Sequence, residues 1–291
     1  MTEKIINALY VVATPIGNLG DITQRALDTL RNVSVVAAED TRNTKSLLAH
    51  YGIGAKLIAV HEHNERHAAD GIVKLLSEGH SVALVTDAGT PAISDPGARV
   101  VSAVREAGYT VVPIPGASAL VAAISASGEG EHGFLFHGFL PVKEGDRKRA
   151  LELLKPSPYA IVLYESPHRI VESVTTIAAV IGNERELVVC RELTKKFETI
   201  VRLKLREAVA WLESDANNQR GEFVLILSKS SIGEAIEAEM AQTQALELTL
   251  LILLEELPLK QAVALAVKLT GEKKNRVYEM ALKNKSGIDH S

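Results

Sequence analysis

Three short loops in the first 120 residues carry the residue types that let a backbone approach a small ligand closely. They span residues 14–18 (TPIGN), 86–91 (TDAGTP) and 114–119 (IPGASA). Each combines glycine and proline with small side chains, and Asp87 is their only acid. Glycine permits close backbone approach, so the three loops together predict a ligand pocket lined by backbone groups and one carboxylate.

Each loop follows an apolar, β-branched run that is typical of a buried parallel strand. The runs are residues 9–13, 81–85 and 109–113. Parallel strands end at one edge of their sheet, and ligands of open α/β sheets bind beyond that edge. We therefore expect the three loops to meet at one pocket.

The first part of the chain alternates strands and helices, which predicts a mainly parallel sheet with helices on both faces. Further strands are predicted at 33–38 and 57–60, and helices at 23–30, 42–51, 65–77, 96–107 and 117–126. The glycine-rich stretch 127–133 predicts a domain boundary.

Beyond this boundary the pattern predicts a second α/β unit with mixed strands. Its strands are predicted at 134–137, 159–164, 186–190, 197–201 and 222–228, and its helices at 145–154, 167–180 and 206–213. The predicted domains are therefore 1–128 and 129–230.

The tail differs in composition from both α/β units. The polar, acidic stretch 228–244 is interpreted as a linker helix or loop, and helices are predicted at 245–256, 260–269 and 275–283. Gly271 between the last two is typical of a helix-turn-helix, so 245–291 is predicted as a small helical domain. Residues 260–285 hold seven basic residues and two acids, and Lys273, Lys274 and Arg276 begin the third helix. This cluster fits either nucleic-acid contact or a structural cap with a solvated basic face.

Composition narrows the class of protein. The net charge of −4 gives no overall basic field, so a nucleic-acid surface must be local. The one cysteine, Cys190, lies in an apolar run and is expected in the core, and no Cys/His spacing suggests a metal. No apolar run approaches the ~18 residues of a membrane span, and residues 1–7 lack a signal-peptide core. We expect a cytoplasmic protein with no membrane association.

Several common sites are absent from the sequence. The first strand is not followed by G-x-G-x-x-G, which argues against a nicotinamide cofactor. Neither a Walker lysine motif nor a G-x-S-x-G nucleophile elbow is present.

A set of short motifs occurs in the order found in one known family. The motifs are TPIGNL (14–19), DIT (21–23), AEDTR (38–42), DAGTP (87–91), GFLP (138–141), YESPHR (164–169), RELTK (191–195) and GE (221–222). Over nearly its whole length the chain resembles the bacterial ribose 2′-O-methyltransferases of cytidine 1402 in 16S rRNA, members of the tetrapyrrole-methylase superfamily. The resemblance implies two α/β domains with S-adenosylmethionine in the cleft between them, a homodimer, and a C-terminal domain that helps hold the RNA of the small ribosomal subunit.

The resemblance also implies which residues bind the cofactor. The turn after the first strand lines one wall, the Asp87 loop contributes backbone groups, and Tyr164 and Glu165 close over the adenosine. The implied cofactor-binding residues are Thr14, Pro15, Asp87, Ala88, Thr90, Ser118, Ala119, Tyr164, Glu165 and Leu193, with a weaker match at Gly221 and Glu222.

Methyl transfer to a ribose hydroxyl depends on alignment, and a nearby base or cation helps because the hydroxyl is a weak acid. The candidates are residues at strand ends. In the first α/β unit they are His61, His63 and Glu65, with Glu39, Asp40 and Arg42, and in the second α/β unit the candidate is Lys195. The sequence does not single out one catalytic residue, and His61, His63 and Lys195 remain as candidates. His61 and His63 lack a third metal ligand, so no metal is expected.

Phosphate contacts are expected from arginine, because its guanidinium pairs with phosphate through two hydrogen bonds. Arg42 and Arg169 are the candidates in the body of the protein, beside the tail cluster of Lys273, Lys274 and Arg276.

Two other functions remain open. The same fold serves methyltransferases of small corrinoid or porphyrin substrates, although these do not need a basic tail. The chain could also be a ligand-sensing regulator, with the α/β body as sensor and the helix-turn-helix as DNA reader.

Overall fold

The computed structural model describes residues 6–61, 63–131 and 133–288, without the side chains of 231–240 and 284–288. The described chain divides into two compact units. The first runs to Lys155 and resumes at Tyr159–Ser228, and the second consists of Pro156–Pro158 and the chain from Lys229 onward.

A parallel sheet of five strands forms the first half of the first unit, as the alternating pattern predicts. Its strands run in the order β3-β2-β4-β1-β5, where the strands are β1 (Ala8–Val12), β2 (Val35–Ala38), β3 (Leu57–Ala59), β4 (Val82–Val85) and β5 (Thr110–Ile114). The helices that connect them are α1 (Gln24–Asn32), α2 (Thr41–His50), α3 (Glu65–Ser77) and α4 (Ala98–Glu106), and α5 (Ala119–Ser127) follows β5.

Helices cover both faces of this sheet because successive strand residues point in opposite directions. Tyr10 packs with α1 and α2, whereas its neighbour Leu9 packs with α3 and α4. The adjacent position of β1 and β4 brings the loops that follow them to the same edge of the sheet.

The second sheet has mixed strand directions, also as predicted. Its order is β6-β7-β10-β8-β9, with only β6 and β7 parallel: β6 (Phe134–Phe139), β7 (Ala160–Glu165), β8 (Glu186–Arg191), β9 (Thr199–Lys204) and β10 (Phe223–Leu227). One face packs against α6 (Glu144–Leu154), α7 (Ile170–Ile181) and α8 (Leu205–Ser214).

The other face of the second sheet packs against α5, the helix that leaves the first sheet. Ala123 and Ile124 of α5 share a core cluster with Val162, Val224 and Cys190. Cys190 is fully buried there, as the sequence predicts, and burial raises the pKa of its thiol to about 12.

The tail forms three helices: α9 (Ser231–Glu256), α10 (Leu259–Thr270) and α11 (Lys274–Ile288). They share a core of their own, which contains Leu246, Leu250, Val263, Ala266, Val277 and Ala281. Gly271 ends α10 in a left-handed conformation, as the helix-turn-helix pattern predicts.

The stretch 231–244 is helical, one of the two alternatives that the sequence left open, but the break predicted at residue 245 is absent. The polar stretch interpreted as a linker and the helix predicted from residue 245 are one helix of 26 residues. Nine of the eleven residues in 234–244 are alanine, glutamate, glutamine or methionine, and all four favour helix whether or not they are apolar. No helix of the described chain has the length and the apolar character needed to cross a membrane.

Candidate active site

Two backbone hydrogen bonds fasten the loop after β1 to the loop after β4. The Thr14 N–H donates to Gly89 O at 2.9 Å, and the Gly89 N–H donates to Thr14 O at 3.0 Å. The Thr14 hydroxyl donates to Thr86 O at 3.2 Å, and Thr14 is only 1% exposed. Its side chain therefore holds the two loops together and lines neither of the cavities described below.

The loop after β5 lies against the other two. A Cβ atom on Gly116 would be 2.9 Å from the Cβ of Ala13, so only glycine allows this approach. The Thr90 hydroxyl donates to Ala117 O at 3.1 Å. The three loops that the sequence predicts to meet form one continuous surface.

A cavity of about 340 Å³ lies beside this surface, between the loops of the first sheet and the second sheet. Seven of the residues implied to bind cofactor line it: Ala88, Thr90, Ser118, Ala119, Tyr164, Glu165 and Leu193. We call it the first cavity. Ile16 and Phe139 add apolar surface, and the Phe139 ring lies 5.7 Å from that of Tyr164 in an edge-to-face contact.

Tyr164 joins the two sheets at this cavity. Its hydroxyl accepts the N–H of Leu120, in the first turn of α5, at 3.0 Å. Burial raises the pKa of Tyr164, so the hydroxyl stays protonated and neutral at physiological pH.

A second cavity of about 520 Å³ adjoins the first and shares Ile16, Ala88 and Glu222 with it. Pro15, Asp87 and Lys195, three further residues of the prediction, line this second cavity. The remaining wall is largely α2, which contributes Asn43, Thr44, Ser46, Leu47 and His50. Nine of the ten implied cofactor-binding residues, together with Lys195, thus line one of two neighbouring cavities, and Thr14 lines neither.

Asp87 anchors the start of α2 on the loop after β4. Its carboxylate accepts the N–H of Asp40 at 3.1 Å and the side-chain N–H of Asn43 at 2.8 Å. Its own N–H donates to Glu39 at 3.3 Å. Burial, and beyond it the charges of Asp87 and Asp40, raise the pKa of Glu39 despite that hydrogen bond.

Lys195 is a fixed cation in the wall of the second cavity. Its ammonium donates to Glu192 at 2.8 Å and to Glu222 at 2.7 Å. Burial alone would lower the pKa of Lys195, but these two carboxylates outweigh it and raise the pKa. Lys195 therefore remains protonated at neutral pH and cannot serve there as a proton acceptor.

The other catalytic candidates lie elsewhere. His61 and His63 are exposed, their ring centroids are 6.2 Å apart, and neither lines either cavity. Glu65 is 8% exposed and accepts the N–H groups of Gly97 at 2.9 Å and Arg99 at 3.0 Å. Glu65 thus caps α4 and is a structural residue.

The two arginines proposed for phosphate contact have different surroundings. The Arg42 side chain is 89% exposed and pairs with Asp40 at 2.8 Å. Arg169 is 21% exposed; its guanidinium donates to Leu140 O at 2.8 Å and lies 3.4 Å from Glu165. The exposed Arg42 can bind a phosphate in place of Asp40, whereas the hydrogen bond to Leu140 and the contact with Glu165 hold Arg169 against the second sheet. Both assignments stay predictions.

Glu165 lines the first cavity but is almost fully buried. It accepts the N–H of Ser166 at 2.8 Å and the hydroxyl of Ser173, in addition to the contact with Arg169. These donors satisfy a carboxylate that is only 3% exposed.

Sequence reasoning missed Asp95, which lines the first cavity. Burial, and secondarily the charges of Glu39 and Asp87, raise the pKa of Asp95 to about 7. The motif match ends at Pro91, but the loop runs on to Gly97 before α4 begins. An acid inside a strand-end loop was the signal that could have found it.

The tail cluster lies within the second compact unit. Lys273 and Lys274 are exposed. Arg276 instead donates to Glu272 at 3.0 Å and to the Thr243 hydroxyl at 2.6 Å, so it links α11 to α9. The side chain of Lys285 lies outside the described residues.

Comparison with known proteins gives matches over both units. Residues 8–209 match the family model of the Tetrapyrrole (Corrin/Porphyrin) Methylases, and residues 240–285 match the RsmI C-terminal HTH domain. A ribosomal RNA small subunit methyltransferase I of Vibrio cholerae serotype O1 is 50% identical over 95% of this chain and 94% of its own. The protein of the same name from Escherichia coli O157:H7 is 48% identical over 94% of each chain.

A solved structure shares the fold over about three quarters of the chain. It is uroporphyrin-III C-methyl transferase from Thermus thermophilus complexed with S-adenyl homocysteine, with a TM-score of 0.55 and 19% identity. The match covers 97% of that chain but 76% of this one.

The contact between Gly17 and Lys195 can be tested by a double-mutant cycle. A Cβ on Gly17 would lie 2.5 Å from Cγ and Cε of Lys195, and Gly17 has a φ of +143°. We expect Gly17→Ala to lower the free energy of unfolding by ~1–3 kcal/mol through overpacking. In a Lys195→Ala background the steric overlap is removed, so Gly17→Ala should destabilise the protein only by the strain of alanine at a φ of +143°. Denaturant unfolding of the four proteins measures the coupling, and additive effects would show that the two residues are not in contact.

Proposed function

Because this chain belongs to the tetrapyrrole (corrin/porphyrin) methylases, and among them to the ribosomal RNA small subunit methyltransferase I family, we propose that it methylates 16S rRNA. The methyl donor is S-adenosylmethionine, and the acceptor is the ribose 2′-hydroxyl of cytidine 1402 in the small ribosomal subunit. One observation carries the proposal: the likeness to the rRNA methyltransferases extends over 94–95% of the chain, including the tail.

The tail separates this proposal from methylation of a small corrinoid or porphyrin. The solved uroporphyrin-III methyltransferase is matched over 97% of its length, yet leaves about a quarter of this chain unmatched. The segment 240–285, which matches a domain of its own, lies beyond the corrin/porphyrin family match. An additional helical domain that exposes Lys273 and Lys274 suits a large anionic substrate better than a tetrapyrrole.

The residues of the first cavity fit S-adenosylmethionine. The cavity has the size of a small-molecule site, is largely apolar, and is lined by no basic residue among the described ones. Backbone groups near Ala88, Thr90, Ser118 and Ala119 would hold the ligand, and Tyr164 would close over it. When bound, the sulfonium supplies an electrophilic methyl group.

The second cavity suits the acceptor nucleotide. It adjoins the first, and Lys195 offers a positive charge held in place by Glu192 and Glu222. By exchanging one of these glutamates for the substrate, the ammonium would orient a phosphate, or stabilise the ribose oxygen as its proton leaves. His50 and Asn43 in the same wall add polar groups for a base or ribose. Alignment of two reactants can lower an activation barrier by ~7–11 kcal/mol, so the main role of these residues is to position the nucleotide.

The tail would hold the RNA through Lys273 and Lys274, with Arg42 as a further contact near the second cavity. We propose a cytoplasmic homodimer, as the family resemblance implies.

The function is tested directly by mapping a transferred methyl group. Purified protein, labelled S-adenosylmethionine and small subunits lacking the modification should give label at the 2′-oxygen of cytidine 1402. Label at another nucleotide would correct the target. Absence of label on RNA, with label on a corrinoid or tight binding to double-stranded DNA, would favour one of the two alternative functions.

Asp87 is expected to support cofactor binding by holding the loop that carries Ala88. Asp87→Ala removes the acceptor for Asp40 and Asn43, so S-adenosylmethionine should bind more than tenfold weaker, about 1.4 kcal/mol or more. Calorimetry measures the affinity, and Asp70→Ala, at an exposed position of α3, is the matched control. Equal affinity of Asp87→Ala and the parent would remove Asp87 from the site.

The exposed lysines of the tail are expected to contact RNA phosphates. The double variant Lys273→Ala, Lys274→Ala should have a higher KM for small subunits. The slope of log KM against log salt concentration should also fall by roughly one to two. Arg276 stays in place because it joins α11 to α9. Methylation rates across a KCl series measure the effect, and Lys56→Ala with Lys143→Ala is a control of equal charge. Parent-like kinetics would mean that the tail is a structural cap.

A further inference from the structure

The first cavity has an unusual charge balance. Its ionisable lining side chains are Asp95, Glu165, Glu222 and Tyr164, so among the described residues only acids could bring charge to it near neutral pH. A cavity that buries negative charge without a basic partner favours a ligand that supplies the positive charge.

Two of these acids are already compensated. Glu165 accepts hydrogen bonds from Ser166 and Ser173 and lies beside Arg169, and Glu222 pairs with Lys195 at 2.7 Å. Within the described residues, Asp95 has neither an ion pair nor a hydrogen bond to its carboxylate. The uncompensated acid of the cavity is therefore Asp95.

The loop that presents Asp95 is held in a strained shape. Ala92 and Ser94 have φ of +68° and +63°, a region that residues other than glycine rarely occupy. Thr90 fastens the start of the loop to Ala117, and Glu65 fastens its end by accepting the Gly97 N–H at 2.9 Å. Backbone strain of this kind persists only where surrounding contacts enforce it, and it clusters at ligand sites.

We propose that Asp95 recognises the positive charge of the ligand in the first cavity and so distinguishes a sulfonium from a neutral thioether. This rests on the proposed function, in which that ligand is S-adenosylmethionine. S-adenosylhomocysteine has the same adenosine and amino acid groups but no charge on sulfur. The comparison between the two ligands isolates the interaction assigned to Asp95.

Recognition by Asp95 is linked to a proton. Glu39 at the end of β2 and Asp87 after β4 face it with negative charge, and Tyr164 of β7 is neutral; burial with these charges raises the pKa of Asp95 to about 7. Glu165, with Arg169, and Glu222, with Lys195, complete the charged groups around the cavity. A bound cation lowers the pKa of Asp95, so binding near pH 7 releases a proton.

The sign of the pH dependence follows. Because the pKa of Asp95 is lower in the complex, affinity for the sulfonium should fall as pH decreases below about 7 and level off above it. The neutral thioether does not lower the pKa of Asp95, so its affinity should not show this dependence.

Calorimetry of the full-length protein tests the assignment. Titrations at pH 7 in two buffers of different ionisation enthalpy count the protons released by each ligand. The parent should release a fraction of a proton with S-adenosylmethionine and none linked to Asp95 with S-adenosylhomocysteine. Asp95→Asn, which keeps the shape of the side chain, should abolish this release and bind S-adenosylmethionine about tenfold weaker at pH 8. Asp70→Asn is the control for loss of one surface acid.

The outcomes separate this assignment from the function on which it rests. Equal proton release with both ligands, or an unchanged ratio of their affinities in Asp95→Asn, overturns the role of Asp95 while the methyl-donor site stands. Failure of the parent to bind either ligand overturns both. The comparison of two ligands on the parent protein keeps the test valid even if Asp95→Asn does not fold.

Discussion

The reciprocal backbone hydrogen bonds between Thr14 and Gly89 are the constraint on which the candidate site depends. They exist because β1 and β4 are neighbours in the sheet, so that the loops leaving the two strands run side by side. The third loop packs onto this pair through Gly116 and Thr90. All three loops line the first cavity, the loops after β1 and β4 also line the second, and Ile16 and Ala88 of these two loops form a common wall.

That common wall separates two electrostatic environments. The first cavity contains Asp95, a carboxyl without an ion-pair partner among the described residues, whereas the second contains an ammonium that two glutamates hold in place. A methyl donor is a cation and suits the first environment, whereas in the second Lys195 would bind a phosphate of the RNA acceptor by exchanging one of its glutamate partners.

The sequence contains enough local information to predict most of the fold. Strands, connecting helices and the parallel order follow from periodicity and from Gly and Pro positions, and the predicted helix at 65–77 has the bounds of α3. The continuous helix α9 was not predicted because polar composition was taken as a sign of a linker. Pairings between distant residues, such as Arg276 with Thr243 or Arg169 with Leu140, leave no local pattern. Asp95 was missed for a related reason. Its pKa depends on burial and on neighbours that are distant in sequence, such as Glu39 after β2 and Asp87 after β4.

The burial of Cys190 has a practical consequence. It is the single cysteine of the chain, it is fully buried, and burial keeps its thiol protonated far above neutral pH. Thiolate is the reactive form of cysteine, so maleimides and other thiol reagents should not react with the native protein. A cysteine introduced at any exposed position would then be the sole target of a fluorophore or spin label. The molecule is therefore a ready background for single-site spectroscopy, with no need to remove a native thiol first.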